Sequence, residues 1–213
     1  MTAMLVARPA AGQSLRDGRI ELSAGGTWVG AVLFPELNAT ETAPGGVRRT
    51  VFRTQSQLEA SPGLVARVGV RLARRVTAES ALFTNATRLA TRISGDVELA
   101  ADTTATESVR QFLVEGGLLV RLAPSARRRF APFAALGGGY LRQLNEGRTL
   151  VSTGRSYYAG GGAHYILRGR GAGRVRSAGI RMDARAAFLE GGVALDNGRH
   201  LLPVVGVALF VRY

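Results

Sequence analysis

Three observations predict that this 213-residue chain is all-β and folds as an eight-stranded antiparallel up-and-down barrel. Apolar and polar residues alternate with period two in segment after segment from Arg19 to Tyr213, the pattern of strands whose two faces meet different surroundings. Eight such segments can be counted. The connections between them alternate short and long, with both chain ends on the short-turn side, which is the plan of an up-and-down barrel. The 28 glycines are spread along the chain and no composition break divides it. The expected organisation is therefore an amino-terminal extension, 1–17, and one barrel domain, 18–213.

The strands are expected at about 18–34, 63–75, 78–94, 108–123, 129–144, 155–168, 176–189 and 200–213. In the first, Ile20, Leu22, Ala24 and Trp28 oppose Glu21, Ser23 and Thr27. The second sets Ala66, Val68, Val70 and Leu72 against Arg67, Gly69 and Arg71. Gly and Thr blur the alternation in the third and fifth, leaving their phase open, although Tyr140 and Arg142 must share a face. The fourth sets Phe112, Val114, Leu118 and Val120 against Gln111, Glu115 and Arg121. The sixth carries His164. In the seventh, Ile180, Met182, Ala184, Ala186 and Phe188 alternate with Arg181, Asp183 and Arg185, and in the eighth Val205, Val207, Leu209, Val211 and Tyr213 alternate with Gly206, Ala208, Phe210 and Arg212. Short turns fall near Val76 and Thr77, Pro124 to Arg127 and Gly169 to Gly173. The segments 35–62, 95–107, 145–154 and 190–199 read as long loops. Thr104 and Glu107 have capping-box spacing, which predicts a short helix in one of them.

The face that takes the charges decides between water and membrane. No run approaches the roughly 20 apolar residues of a spanning helix. If the charged face met water, the apolar side chains would have to fill a core, and an eight-stranded barrel closes around only a modest one. The apolar face carries Ile, Leu, Val, Phe and Trp, whereas the charged face is rich in Gly, Ala and Ser. Small residues on the charged face fit an interior where space is scarce. The reading is a transmembrane barrel with its charges inside.

The stretch Ala131 to Leu144, the segment Tyr158 to Tyr165, the strand Arg181 to Arg185 and the terminal Gly206 to Tyr213 resemble the small eight-stranded outer-membrane β-barrel proteins of Gram-negative bacteria, the OmpA-like and OmpX-like group. The resemblance spans about 18–213 and lies in the whole pattern more than in any one motif. It implies an outer-membrane location, contact with outer-membrane lipids and a monomer. It also implies a terminal signal, Val207, Leu209, Val211 and Tyr213, read by the barrel-assembly machinery. The resemblance does not extend to the peptidoglycan-binding domain of OmpA-type proteins, so it does not imply anchoring to the cell wall.

The inward charges form a candidate network of Glu21, Arg67, Arg71, Glu79, Glu115, Arg121, Arg181, Asp183, Arg185 and Arg212. Each ion needs a partner once removed from water, and the planar fork of arginine can bridge two carboxylates. An ion-selective pore and a filled polar plug are both compatible; the narrow interior of eight strands favours the plug. The short turns hold Arg74, Arg75, Arg127, Arg128, Arg129, Arg168, Arg170, Arg174 and Arg176 with no acid among them, a basic rim suited to anionic headgroups at the periplasmic surface. Ten of the fifteen acids lie in the long loops. Trp28, Phe34, Tyr140, Tyr157, Tyr158 and Phe188 near the upper strand ends, and Phe130 and Tyr213 near the lower, suggest interface girdles.

Other chemistries find little support. The chain has no cysteine and two histidines, His164 and His200, too few for a nucleophile triad or a metal site. His164 is expected to point inward with Tyr158 and Arg168. Gly169 to Gly173 lacks the strand-to-helix context of a phosphate loop, so no cofactor is expected. All 28 basic residues are arginine and the net charge is +13, but the arginines alternate with acids or cluster at turns, without a nucleic-acid reading motif. Met1 to Gly12 is too short for a complete secretory signal and reads as the remnant of one or as a frayed terminus. The favoured function is a non-enzymatic barrel contributing to envelope structure or surface contacts through its loops. The alternatives are a soluble barrel carrying a lipophilic ligand and an outer-membrane lipid-modifying enzyme that would use His164.

Overall fold

The structure, a computed structural model, describes residues 19–42, 44–95, 101–122, 129–145, 151–169, 175–192 and 198–213. The expected extension 1–17 lies outside them. Every regular element among the described residues is a strand: β1 (Ile20–Val29), β2 (Val32–Leu33), β3 (Leu37–Thr42), β4 (Arg48–Leu58), β5 (Ser61–Arg71), β6 (Val76–Ser94), β7 (Thr103–Arg121), β8 (Phe130–Asn145), β9 (Val151–Gly169), β10 (Ser177–Gly191) and β11 (Arg199–Arg212). All pairings are antiparallel. The order β6-β5-β1-β11-β10-β9-β8-β7, closed by β7 on β6, makes a ring of eight. The carboxyl terminus is zipped to the start of β1, where the Tyr213 N–H donates to the Ile20 carbonyl at 2.9 Å.

Register fixes the shape of this ring. From Ile20, cross-strand partners lead through Val70, Ala78, Leu118, Leu136, Ala159, Ala186 and Pro203. They return not to Ile20 but to Gly30, whose N–H donates to the Pro203 carbonyl at 2.8 Å. The circuit climbs ten residues along β1. With strands about 4.8 Å apart and about 3.4 Å of rise per residue, that stagger tilts the strands by roughly 40° from the barrel axis.

The strands run further up than the alternation predicts. The segment 35–62 is no loop: β3 and β4 pair from Leu37 with Thr54 to Thr42 with Arg48, and the hairpin turns at Gly45 and Gly46, both at positive φ. β4 also pairs with the upper half of β6, from Arg53 with Ser94 to Leu58 with Leu89, so β4 and β5 act as one strand interrupted at Glu59–Ala60. The helix expected at Thr104–Glu107 is overturned as well, since Thr104 pairs with Arg92 and Glu107 with Leu89 inside β7. The physical reason is common to both. High on these strands, Thr, Arg, Gln and Ser occupy both faces, and without a greasy face period two is invisible.

Within the wall the faces fall as expected. On β11, Val207 and Leu209 are 57% and 67% exposed while Phe210 is 1% exposed. Arg67, Arg181, Asp183, Arg185 and Arg212 are buried and Ile180's neighbour Met182 is exposed. The open phases resolve with Phe83, Asn85, Thr87 and Leu89 inward on β6, and with Phe133, Leu141 and Gln143 inward on β8. The interior is polar only in part, which corrects the expected polar filling. Its upper region is packed by Val29, Val32, Phe34, Leu58, Leu89, Val109, Leu141, Leu189 and Leu202. Phe34, expected in the outer girdle, points into this interior, and Tyr158, placed by the sequence both in that girdle and inward beside His164, takes the inward position.

Candidate functional site

The charged region of the lumen is a closed ionic lattice built from six strands. Arg181 on β10 grips Glu79 on β6 with both terminal guanidinium nitrogens, one contact very short and the other 3.0 Å. Its Nε reaches Asp183 at 3.2 Å, and Glu21 lies 3.8 Å away. Arg67 on β5 meets Asp183 at 3.2 Å and Glu79 at 3.7 Å. Arg185 bonds Glu115 on β7 at 2.6 Å and faces Asp183 at 3.6 Å, and Arg212 on β11 bonds Glu21 on β1 at 2.6 Å. Four carboxylates thus face four arginines, and each of the eight has an opposite charge within 4 Å. Burial makes this necessary, because a lone ion here would forfeit its hydration with nothing in return.

Aromatic rings lie against three of the arginines. Arg181 lies over the Phe133 ring at 4.9 Å, Arg185 over Tyr158 at 4.9 Å and Arg212 over Phe210 at 4.6 Å. His164 donates its Nε2–H to the Glu21 carboxylate at 2.9 Å and is enclosed by Phe133 and Phe210, each 4.9 Å from its ring. Phe133, Tyr158 and Phe210 were not read from sequence as part of the network. The available signal was an aromatic on the charged face of its strand. Arg71 and Arg121, part-exposed near the lower mouth, are each engaged by a neighbour.

Of the expected basic rim, Arg74, Arg75, Arg129 and Arg176 are exposed at the lower end, and the described turn residues there, 72–75, 129 and 175–176, include no acid. Arg127, Arg128, Arg170 and Arg174 lie outside the described residues, as does the side chain of Arg168. Of the expected terminal signal, Val207, Leu209 and Tyr213 are exposed on the outer wall and Val211, on the same face, is half-buried. Above the lattice, a cavity with room for about one water is lined by Val29, Asn85, Thr87, Gln111, Leu189 and Leu202 among others.

The outer wall has the dimensions of a bilayer core. Outward residues from Phe112 to Leu122 on and just beyond β7, from Phe130 to Tyr140 on β8 and from Tyr157 to Leu167 on β9 carry no charge, and each run rises through ten residue steps. At about 3.4 Å per residue and the roughly 40° tilt, this is a band ~26 Å high, against ~25 Å for barrels that span membranes. Trp28, Tyr140, Tyr157 and Phe188 are exposed at its upper margin and Phe130 and Tyr213 at its lower. A greasy exterior of this height around an ionic interior defines a transmembrane barrel of the small outer-membrane class.

Comparison with known proteins agrees at the level of fold. No family model matches the chain, and no curated protein matches it in sequence. Among solved structures it is similar to the outer-membrane protein OprG from Pseudomonas aeruginosa, with a TM-score of 0.55 and 14% identity over 93% of this chain and 97% of that one. Ail, the attachment invasion locus protein of Yersinia pestis, solved in complex with the heparin analogue sucrose octasulfate, aligns at a TM-score of 0.45 and 10% identity over 91% of this chain and 99% of that one. The fold is that of the eight-stranded outer-membrane β-barrels.

Proposed function

We propose that the chain is a non-enzymatic barrel of a Gram-negative outer membrane, monomeric and closed to ions, which contributes to envelope structure and carries the β3–β4 hairpin at the cell surface for contact. The observation behind this reading is the filled lumen: ion-paired below and packed with apolar side chains above. In a planar lipid bilayer the refolded protein should give no steady unit conductance, and on a gel it should run as a detergent-requiring band that shifts on boiling. A reproducible conductance step would overturn the closed lumen, and a monomer soluble without detergent would overturn membrane insertion. Against the lipid-modifying alternative stands the enclosure of His164, which at 1% exposure reaches neither lipid nor water.

The same reading assigns the terminal face of β11 to recognition by the barrel-assembly machinery. Its support is the run of Val207, Leu209 and Tyr213 exposed along the outer wall at the ring's closing seam. Tyr213→Ser should lower the amount of heat-modifiable protein recovered in the outer membrane while leaving refolding in detergent intact. Equal recovery of variant and parent would remove the assignment.

A further inference from the structure

Arginines ring the lower mouth of the barrel. Arg19, Arg71, Arg75, Arg121 and Arg129 stand at the lower ends of five consecutive strands of the wall, β1, β5, β6, β7 and β8, and Arg212 ends the next strand on the other side, β11. Each is still part of the hydrogen-bonded ladder. The Arg71 N–H donates to the Arg19 carbonyl at 2.9 Å, the Arg121 N–H to the Arg75 carbonyl at 2.8 Å and the Ile166 N–H to the Arg129 carbonyl at 2.8 Å. Strand alternation therefore reaches the mouth, and all six occupy lumen-facing positions, in step with Glu21, Arg67, Thr77, Glu115, Ala131 and Phe210. The stagger of the ring lowers a level line by about 1.25 residues per strand in the direction β1 to β8. Followed from Arg19, that line passes within about two residues of Arg71, Arg75, Arg121 and Arg129, so the five lie within ~5 Å of one height.

Such a ring repels itself. Arg19 stands directly across from Arg71, and Arg75 from Arg121, and like charges so placed are destabilising. Among the described residues the one acid on this face within two residues of the ring is Glu21, which Arg212 already holds at 2.6 Å and His164 at 2.9 Å. Arg19, Arg75 and Arg129 are exposed. Their inward register turns them from the headgroups of the surrounding leaflet toward the barrel axis, where a soluble anion would meet them. The guanidinium fork binds carboxylates through two hydrogen bonds. Spacing narrows the choice of anion. Neighbouring strands are about 6 Å apart around the circumference, which makes a mouth roughly 16 Å across. An extended chain repeats the side chains of one face every ~6.8 Å, close to the spacing of the ring. A helix, at ~10–12 Å, is too wide to lie in this mouth beside the arginine side chains.

Resting on the outer-membrane reading above, we propose that Arg19, Arg71, Arg75, Arg121 and Arg129 form a docking site for an acidic, extended segment of a periplasmic protein, with carboxylates on alternate residues each taken by the ring. The test uses the full chain refolded in non-ionic detergent and reads, by fluorescence anisotropy, the binding of a labelled octapeptide of alternating glutamate and serine. The parent should bind it about ten-fold more tightly than either the glutamine–serine analogue or tripolyphosphate, the value of one charge-assisted hydrogen bond. Arg75→Gln/Arg129→Gln should lower the affinity about ten-fold on the same basis. Arg49→Gln/Arg199→Gln, which removes the same charge at the opposite end, should leave it unchanged. If the first variant gives no heat-modifiable band, Arg19→Gln/Arg75→Gln provides the same reading. Unchanged affinity in the mouth variants, an equal loss in the opposite-end variant, tripolyphosphate bound as tightly as the peptide, or full displacement of the peptide by phosphatidylglycerol added to the micelle would each overturn the site. A failure of the membrane-barrel reading would show separately, as a parent protein that is soluble without detergent and does not shift on boiling.

Discussion

Arg181→Ala is expected to destabilise the folded barrel by about 3–5 kcal/mol, the cost of leaving buried partners without their counter-charge. The size follows from how many contacts converge on this one guanidinium. It is 2% exposed, holds Glu79 by two hydrogen bonds and Asp183 at 3.2 Å, and lies against Glu21 and the Phe133 ring. Without it, Glu79 retains among the described residues only Arg67, at 3.7 Å. Arg181→Lys keeps a charge but loses the fork and should fall between the two. Arg181→Met/Glu79→Met removes both members of the tightest pair and should recover much of the loss, because a buried pair replaced by packed apolar groups is often close to neutral. The measurement is the urea midpoint of the unboiled band's conversion to the unfolded one. Arg181→Ala within ~1 kcal/mol of the parent, the value of an exposed pair, would mean that water reaches the lattice and that the lumen is not closed.

What was legible in the sequence, and what was not, follows from what each part of the chain touches. Lipid favours apolar residues at outward positions, so on β5, β10 and β11 the alternation is sharp and places Arg67, Arg181, Asp183, Arg185 and Arg212 in the lumen from sequence alone. Above the bilayer both faces of a strand meet water or protein, and the hairpin β3–β4 and the start of β7 accordingly read as loops. The upper lumen was missed for the opposite reason: with Phe83 and Leu89 inside and Leu82 outside, both faces of β6 are apolar and no phase stands out. Partner identity is a further step removed. Arg67 and Asp183 are 116 residues apart in sequence, and only the ten-residue stagger of the ring brings them together.

A second large effect is expected at a glycine of the lumen face. On β9, Gly160 and Gly162 alternate with outward Gly161, and sequence alone does not distinguish them. A Cβ on Gly162 would stand 2.8 Å from the Asp183 Cα and 2.8 Å from the Phe133 ring. The first of these is backbone of the adjacent strand, so relief requires moving the very residues that hold Arg181 and Arg67. Gly162→Val is therefore expected at or above the top of the usual overpacking range, about 3 kcal/mol. Gly116→Val is the matched control on the other face of the wall. Its side chain would enter lipid with nothing within 4 Å of the new Cβ, and a β-branched residue suits a strand better than glycine does. Its midpoint should equal or slightly exceed that of the parent. The contrast separates two explanations of the glycine-rich wall. If glycine serves flexibility or turn formation, the two substitutions should cost alike; if it makes room inside for arginine and aromatic side chains, only the inward one should. Equal destabilisation at both sites would therefore count against the packed ionic lumen as directly as a conductance step would.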